Sequence, residues 1–108
     1  MAGNANKMNI TAGLFKAFAY ESITVGTVAI GFTDATIQTG SEYAKRAIVT
    51  TETASIRYRY DGTSPTASEG HLLTPQSVLV LTGSDNIKNF RAIRSGSTSG
   101  IIKCTYEN

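Results

Sequence analysis

Tryptophan is absent from this chain, and cysteine and histidine occur once each. A lone cysteine cannot form an intrachain disulfide framework. Cys104 sits in an apolar strand pattern and reads as a small core residue. A reactive thiol would need exposure and a lowered pKa, and neighbouring Lys103 points to the opposite face of a strand. One His and one Cys are too few for a zinc site within one chain. The run from Asp61 to Ser64 lacks the further acidic ligands of a calcium loop. Without tryptophan, a flat aromatic platform for sugars would have to be built from tyrosine. Serines are abundant, but none lies in a strained nucleophile elbow, so a Ser–His–Asp arrangement drawn with His71 and Asp61 carries little weight. No phosphate-binding glycine loop is expected either, because residues 95–100 lie between strands rather than before a helix. The expectation is a chain without catalytic, metal or cofactor-binding residues.

Charge is also scarce. Only 17% of residues are charged and the net charge is +2, with no block of Lys and Arg of the kind that binds nucleic acid specifically. No run approaches the roughly 20 apolar residues that span a bilayer as a helix. Lys7, Asn9 and Lys16 interrupt the first twenty residues, so no signal-peptide apolar region is read there. Synthesis and folding in a cytoplasm are expected, with no membrane partner.

What is present is a 108-residue chain with 41% hydrophobic residues, too apolar for a disordered polymer and sized for one domain. Residues 1–12 are read as a flexible arm, with a short edge strand at 8–11, and residues 13–108 as the folded domain. In residues 12–25, Leu14, Phe15 and Phe18 fit part of a helical stripe, whereas Phe18, Tyr20 and Ser22 alternate. The β-branched residues that follow favour a strand. Residues 27–33 alternate more clearly, with Val28, Ile30 and Phe32 on one face. Residues 34–43 read as a long connection anchored by Ile37. Residues 47–53 form a strand that either bends into the next one or ends where the chain changes sheets. The continuous apolar run at 76–82 suits a strand buried on both sides. A helical turn at 87–89 would be capped by Ser84 or Asp85. Residues 90–94 and 100–106 are the last strands, joined by a flexible hairpin loop. Seven or eight short strands at close spacing predict an all-β sandwich or a small barrel.

The most informative stretch is 55–74. Ile56, Tyr58 and Tyr60 alternate with Ser55, Arg57 and Arg59, as in a strand with one buried face. Asp61 and Gly62 end it with turn chemistry, Pro65 keeps the following loop non-helical, and His71 starts the next strand while tying the loop to it by a side-chain hydrogen bond. Arg57 and Arg59 share a face, and Arg91 points away from Phe90 on another strand. With Arg94 they are candidates for a basic protein interface, with Asp61, Glu52 and Glu69 as partners in a neighbouring subunit. The plainer reading is a solvated face on which arginine stems cover apolar surface.

The pattern Ile-Arg-Tyr-Arg-Tyr-Asp-Gly-Thr-x-Pro-Thr-Ala-x-x-Gly-His-Leu-Leu, followed by Asn-Phe-Arg-Ala-Ile-Arg and Thr-Ser-Gly, resembles small β-sandwich virion proteins of tailed bacteriophages. A shorter piece, Tyr-x-x-Asp-Gly-x-x-Pro-Thr, resembles the fibronectin-like accessory module of some chitobiases and hexosaminidases. Both resemblances imply a single Ig/fibronectin-like sandwich of antiparallel strands. The first implies a virion component (head decoration, neck or head–tail, or tail accessory) that binds copies of itself as a homo-oligomer or other capsid, neck or tail proteins. The second implies a carbohydrate-associated binding module.

Overall fold

A computed structural model describes residues 14–108. The expected arm at 1–12, the domain start at 13 and the short strand at 8–11 lie outside the described residues. The described residues form β1 (Ala17–Val25), β2 (Gln38–Thr39), β3 (Glu42–Tyr43), β4 (Arg46–Glu52), β5 (Ile56–Arg59), β6 (His71–Leu73), β7 (Val78–Thr82), α1 (Ser84–Asn89), β8 (Arg91–Arg94) and β9 (Gly100–Glu107). All pairings are antiparallel: a four-stranded sheet in the order β1–β9–β4–β7, a three-stranded sheet β6–β5–β8, and the small hairpin β2–β3.

Strand β9 shows how the pattern becomes a core. Gly100, Ile102, Cys104 and Tyr106 are buried, and the residues between them are half-exposed. Each inward side chain lies beside inward residues of β1 and β4, and Cys104 pairs with both Glu21 and Val49. The inner residues of the larger sheet join Ile56, Leu73 and Ala92 of the smaller one, with Ile37, Ile87 and Phe90, in a single hydrophobic cluster. Burying one such Ile or Phe contributes roughly 1.5–3 kcal/mol.

The chain changes between the two larger sheets four times, and two of these crossings lie side by side. Between β4 and β5 it turns through Thr53 at φ 76°, so the stretch 47–60 is two strands in different sheets. Between β8 and β9 it crosses back. There Ser95 donates from its N–H and its hydroxyl to the Ser55 carbonyl, at 3.3 and 3.1 Å. Residues 95–100 are thus a sheet-to-sheet crossing rather than a hairpin loop. Gly100 makes the crossing possible, because a Cβ there would stand 2.6 Å from the Ala54 carbonyl oxygen.

Three other expectations are corrected. Residues 27–33 form only a bridge, in which Ile30 and Ala92 exchange two hydrogen bonds of 2.9 Å along the outer edge of β8. Val28 stays exposed, and Phe32 turns into the core to stack on Phe90. Strand β7 is an edge strand rather than one buried on both sides. Leu81 is buried and Leu79 half-buried, while Val78 and Val80 are 62% and 50% exposed. Its continuous apolar run concealed an ordinary alternation. Helix α1 starts at Ser84 without a side-chain cap, since the Ser84 hydroxyl donates instead to the Ala44 carbonyl at 2.9 Å.

Candidate functional site

The alternation of β5 delivers its side chains to two different surroundings. On the inner side, Tyr58 lies 5.9 Å from the buried Phe90 ring, which stacks on Phe32 at 4.3 Å and 4°. Phe32 meets the edge of Tyr106 at 5.2 Å. Outward from Tyr58, the Tyr60 ring stacks at 6.3 Å and His71 tilts against it at 5.3 Å. A chain of aromatic contacts therefore runs from the buried Tyr106 to the half-exposed Tyr60. Burial, and then the neighbouring Tyr60, raise the Tyr58 hydroxyl above its ordinary pKa.

His71 holds its place by these ring contacts. Among the described residues the expected side-chain hydrogen bond from His71 has no partner, and the ring instead lies tilted against Tyr58 across the β5–β6 pair. The loop is instead held by Arg57. Its Nη1 donates to the Gly70 carbonyl at 3.0 Å and its Nε to Ala67 at 3.4 Å. Pro65 is buried against Gly70. The Thr66 hydroxyl accepts from the Glu69 N–H at 3.0 Å.

The register brings three of the four candidate arginines together. Arg59 pairs directly with Arg91, and Arg57 lies two residues along on the same face. Arg94 pairs with Ile56 and so lies on the opposite face. Each clustered arginine makes local contacts. Arg59 donates Nε and Nη2 to Asp61 at 3.1 and 2.6 Å, and Arg91 donates Nη1 to the Lys88 and Phe90 carbonyls at 3.0 and 2.7 Å. Asp61 is thereby partnered within its own chain. The Arg59 hydrogen bond holds the Asp61 carboxyl down at about 2, outweighing the desolvation that pushes it up. A depressed carboxyl favours the folded turn above its ordinary pKa of 3.8, and that preference disappears as the pH falls toward 2. The group is fully exposed, so solvent screens the pair strongly.

Gly62 closes the turn at φ 92° with nothing near its α-carbon. The cost of a side chain there is conformational rather than steric crowding from neighbours. Gly62→Val is expected to destabilise by roughly 1–2 kcal/mol, read as a fall in melting temperature. An unchanged melt would show that the turn relaxes freely.

Beside this turn lies an open cleft of about 580 Å³ lined by Arg59, Tyr60, Asp61, Glu69, Gly70 and His71. It presents a tyrosine ring and an imidazole, two carboxylates and a guanidinium already engaged with one of them. That combination can stack on a ligand and accept hydrogen bonds. Glu52 is exposed at the end of β4, away from the paired arginines in sequence. Among the described residues, no group of three or more His, Cys, Asp and Glu side chains is placed to hold a metal ion.

Two polar networks were not legible from the sequence. Glu21 lies on the core side of β1, where it accepts from the Tyr106 hydroxyl and from the Thr33 N–H and hydroxyl at 3.0 and 2.6 Å. Arg46 and Glu107 pair across β4 and β9 at 2.5 Å, with side chains only 9% and 15% exposed, and the Phe15 ring lies 4.2 Å from the guanidinium. The alternation of β9 could have indicated the face of Glu107, but not its partner. Burial pushes the Cys104 thiol up to about 12, which keeps it protonated and unreactive at neutral pH.

No protein-family model matches the chain, and searches of curated proteins and of solved structures likewise find no match.

Proposed function

We propose that this chain is a structural subunit of a tailed-phage particle, an Ig/fibronectin-like β-sandwich that binds copies of itself or other capsid, neck or tail proteins. The sandwich reading is supported by the one core shared by the two larger sheets. The assembly reading is carried by the outer face of the four-stranded sheet. Tyr20, Thr105, Ile48 and Val80 form one row across all four strands, and Val78 extends its Ile48–Val80 end from the next row, which also holds Ser22, Lys103 and Thr50. Tyr20, Val78 and Val80 are at least half exposed. A sheet face left to water is ordinarily polar, and a contiguous apolar patch marks a protein contact. The arginine cluster of β5 and β8 contributes less, because its donors hold the loop and Asp61. The particle would be its site of action, after synthesis in the host cytoplasm.

Quantitative peptide mass spectrometry of purified particles from the source that encodes this chain tests the proposal. A copy number tracking the major capsid protein assigns it to head decoration, and a small ring-like number to neck or tail. Reproducible absence, where known minor proteins are detected, rejects it.

A second reading draws on the cleft. The half-exposed Tyr60 ring beside Asp61 and Glu69 is a small version of a sugar-recognition surface, which favours the carbohydrate-associated module. Titration with chitooligosaccharides followed by NMR would shift Tyr60 and His71 resonances on that reading, and Tyr60→Ala would abolish the shifts.

A further inference from the structure

We propose that the outer edge of β7 pairs with β7 of a second copy of this chain, antiparallel about a two-fold axis at Leu79. The inference rests on the assembly reading above and names its partner.

Two backbone hydrogen bonds at the ends of the β4–β7 pair fix which groups of β7 are already used. Gly83 N–H donates to Lys45 O at 2.8 Å, and Thr51 N–H donates to Ser77 O at 3.1 Å. Residues facing β4 therefore have odd numbers, and antiparallel alternation turns the N–H and C=O of Val78, Val80 and Thr82 outward. Asn86 Nδ2 covers the Thr82 carbonyl at 2.9 Å. At the other end, Gln76 and Ser77 both bond to Thr51, a bulge with Gln76 at φ 72°. Between these two ends, Val78 and Val80 present two donors and two acceptors that have no partner among the described residues, on an edge strand of the described sheet.

A bare edge of this kind recruits another strand unless charge, proline or a bulge prevents it. No charged residue occurs from Leu72 to Ser84, and Pro75 and the bulge at Gln76 precede the strand rather than interrupt Val78–Thr82. A foreign strand selected by electrostatics would find no charge on β7 to read. A second copy fits without one. Placing Val78 opposite Val80 of the partner copy, and the reverse, satisfies all four groups on each edge and leaves the Asn86 cap intact. The same register sets β-branched side chains directly opposite one another, a favourable cross-strand pair. It also sets Val80, at the end of the row through Ile48, against Val78 on the outer face of the second copy. The other edge of the sheet, β1, presents the hydroxyls of Ser22 and Thr24 on that face, and the edge of β8 is occupied by Ile30.

A five-residue strand is only about 17 Å long, so the contact falls below the roughly 1,000 Å² of a durable interface. The pairing is expected to be reversible in solution and reinforced by repetition in an assembly.

Sedimentation velocity on the full chain over a concentration series reads this directly. The expected result is a weight-average mass rising from monomer toward dimer. Val78→Lys with Val80→Lys should raise the dimer Kd about tenfold or more, while Ser22→Lys on β1 leaves it unchanged. Val80→Pro removes an outward N–H without breaking a β4 bond and gives a second test if the lysine variant folds poorly. A chain monomeric at every concentration, or association insensitive to both β7 variants, overturns the proposal. A strictly monomeric chain whose β7 variants still lose their place in particles overturns it in favour of a partner protein's strand. Self-association through β7 in a chain absent from particles supports the pairing while rejecting the virion reading.

Discussion

Replacing Glu107 by alanine is expected to lower the unfolding free energy by about 3–5 kcal/mol, because it leaves the Arg46 charge buried without its carboxylate. Both side chains are largely withdrawn from water, and Phe15 covers the guanidinium. Arg46 therefore cannot swing out to be hydrated without giving up its contact with Phe15. The pair itself adds little net stability, since desolvating two charges offsets most of their attraction. The double variant Arg46→Met with Glu107→Leu should accordingly recover most of the loss. Urea denaturation of the wild type, Arg46→Met, Glu107→Leu and the double variant measures the coupling as a double-mutant cycle. Additive losses, with no recovery in the double variant, would show that the ions do not act as a pair.

The second large effect is expected at Phe90. Its ring is fully buried and lies between Phe32 and Tyr58. Phe90→Ala should cost about 3–5 kcal/mol, combining lost apolar transfer with the cavity left behind. Phe90→Leu keeps much of the volume and should cost less. The variant also reaches the cleft. Tyr58 would lose its inner neighbour, and Tyr60 and His71 stack on Tyr58. The chain has no tryptophan, so near-UV circular dichroism reports on its tyrosines without interference. Phe90→Ala should weaken the tyrosine signal well below the unfolding temperature. A native tyrosine spectrum in that variant would show that the outer rings are held independently of the core.

Much of the fold was legible because the chain alternates where a sheet has one buried face. Residues 56–60 and 100–107 carry the period of two plainly, and Asp61 with Gly62 marks the turn. The role of Arg57 was less legible, since alternation gives a residue's face but not its hydrogen-bond partner ten residues away. Residues 27–33 misled because alternation persists there, while the segment touches the sheet through one bridge. Residues 76–82 misled for the opposite reason. Valine and leucine are both apolar, so an edge strand with two exposed valines resembles a buried one. The Glu21 and Arg46 networks depend on which strands become neighbours, and that is set by the crossings between the sheets. In the cleft, Tyr60, Asp61 and His71 were prominent in the sequence, but their meeting with Glu69 required the loop to close.

The placement of β9 has a consequence for how the molecule is made. Its partners are β1 and β4, so Gly100 must find Val25 and Glu107 must find Arg46 across most of the chain. Contacts of such long sequence separation place the domain among slow folders, on the millisecond-to-second scale. During synthesis β1 emerges first, and its position beside β4 remains vacant until Gly100–Glu107 has left the ribosome. The larger sheet closes only when that strand enters its middle, so β1 waits as an unpaired strand while the rest of the chain is translated. Crowded copies translated together would pass through this interval with β-edges open, and a chaperone acting there would govern yield without altering the stability of the finished fold.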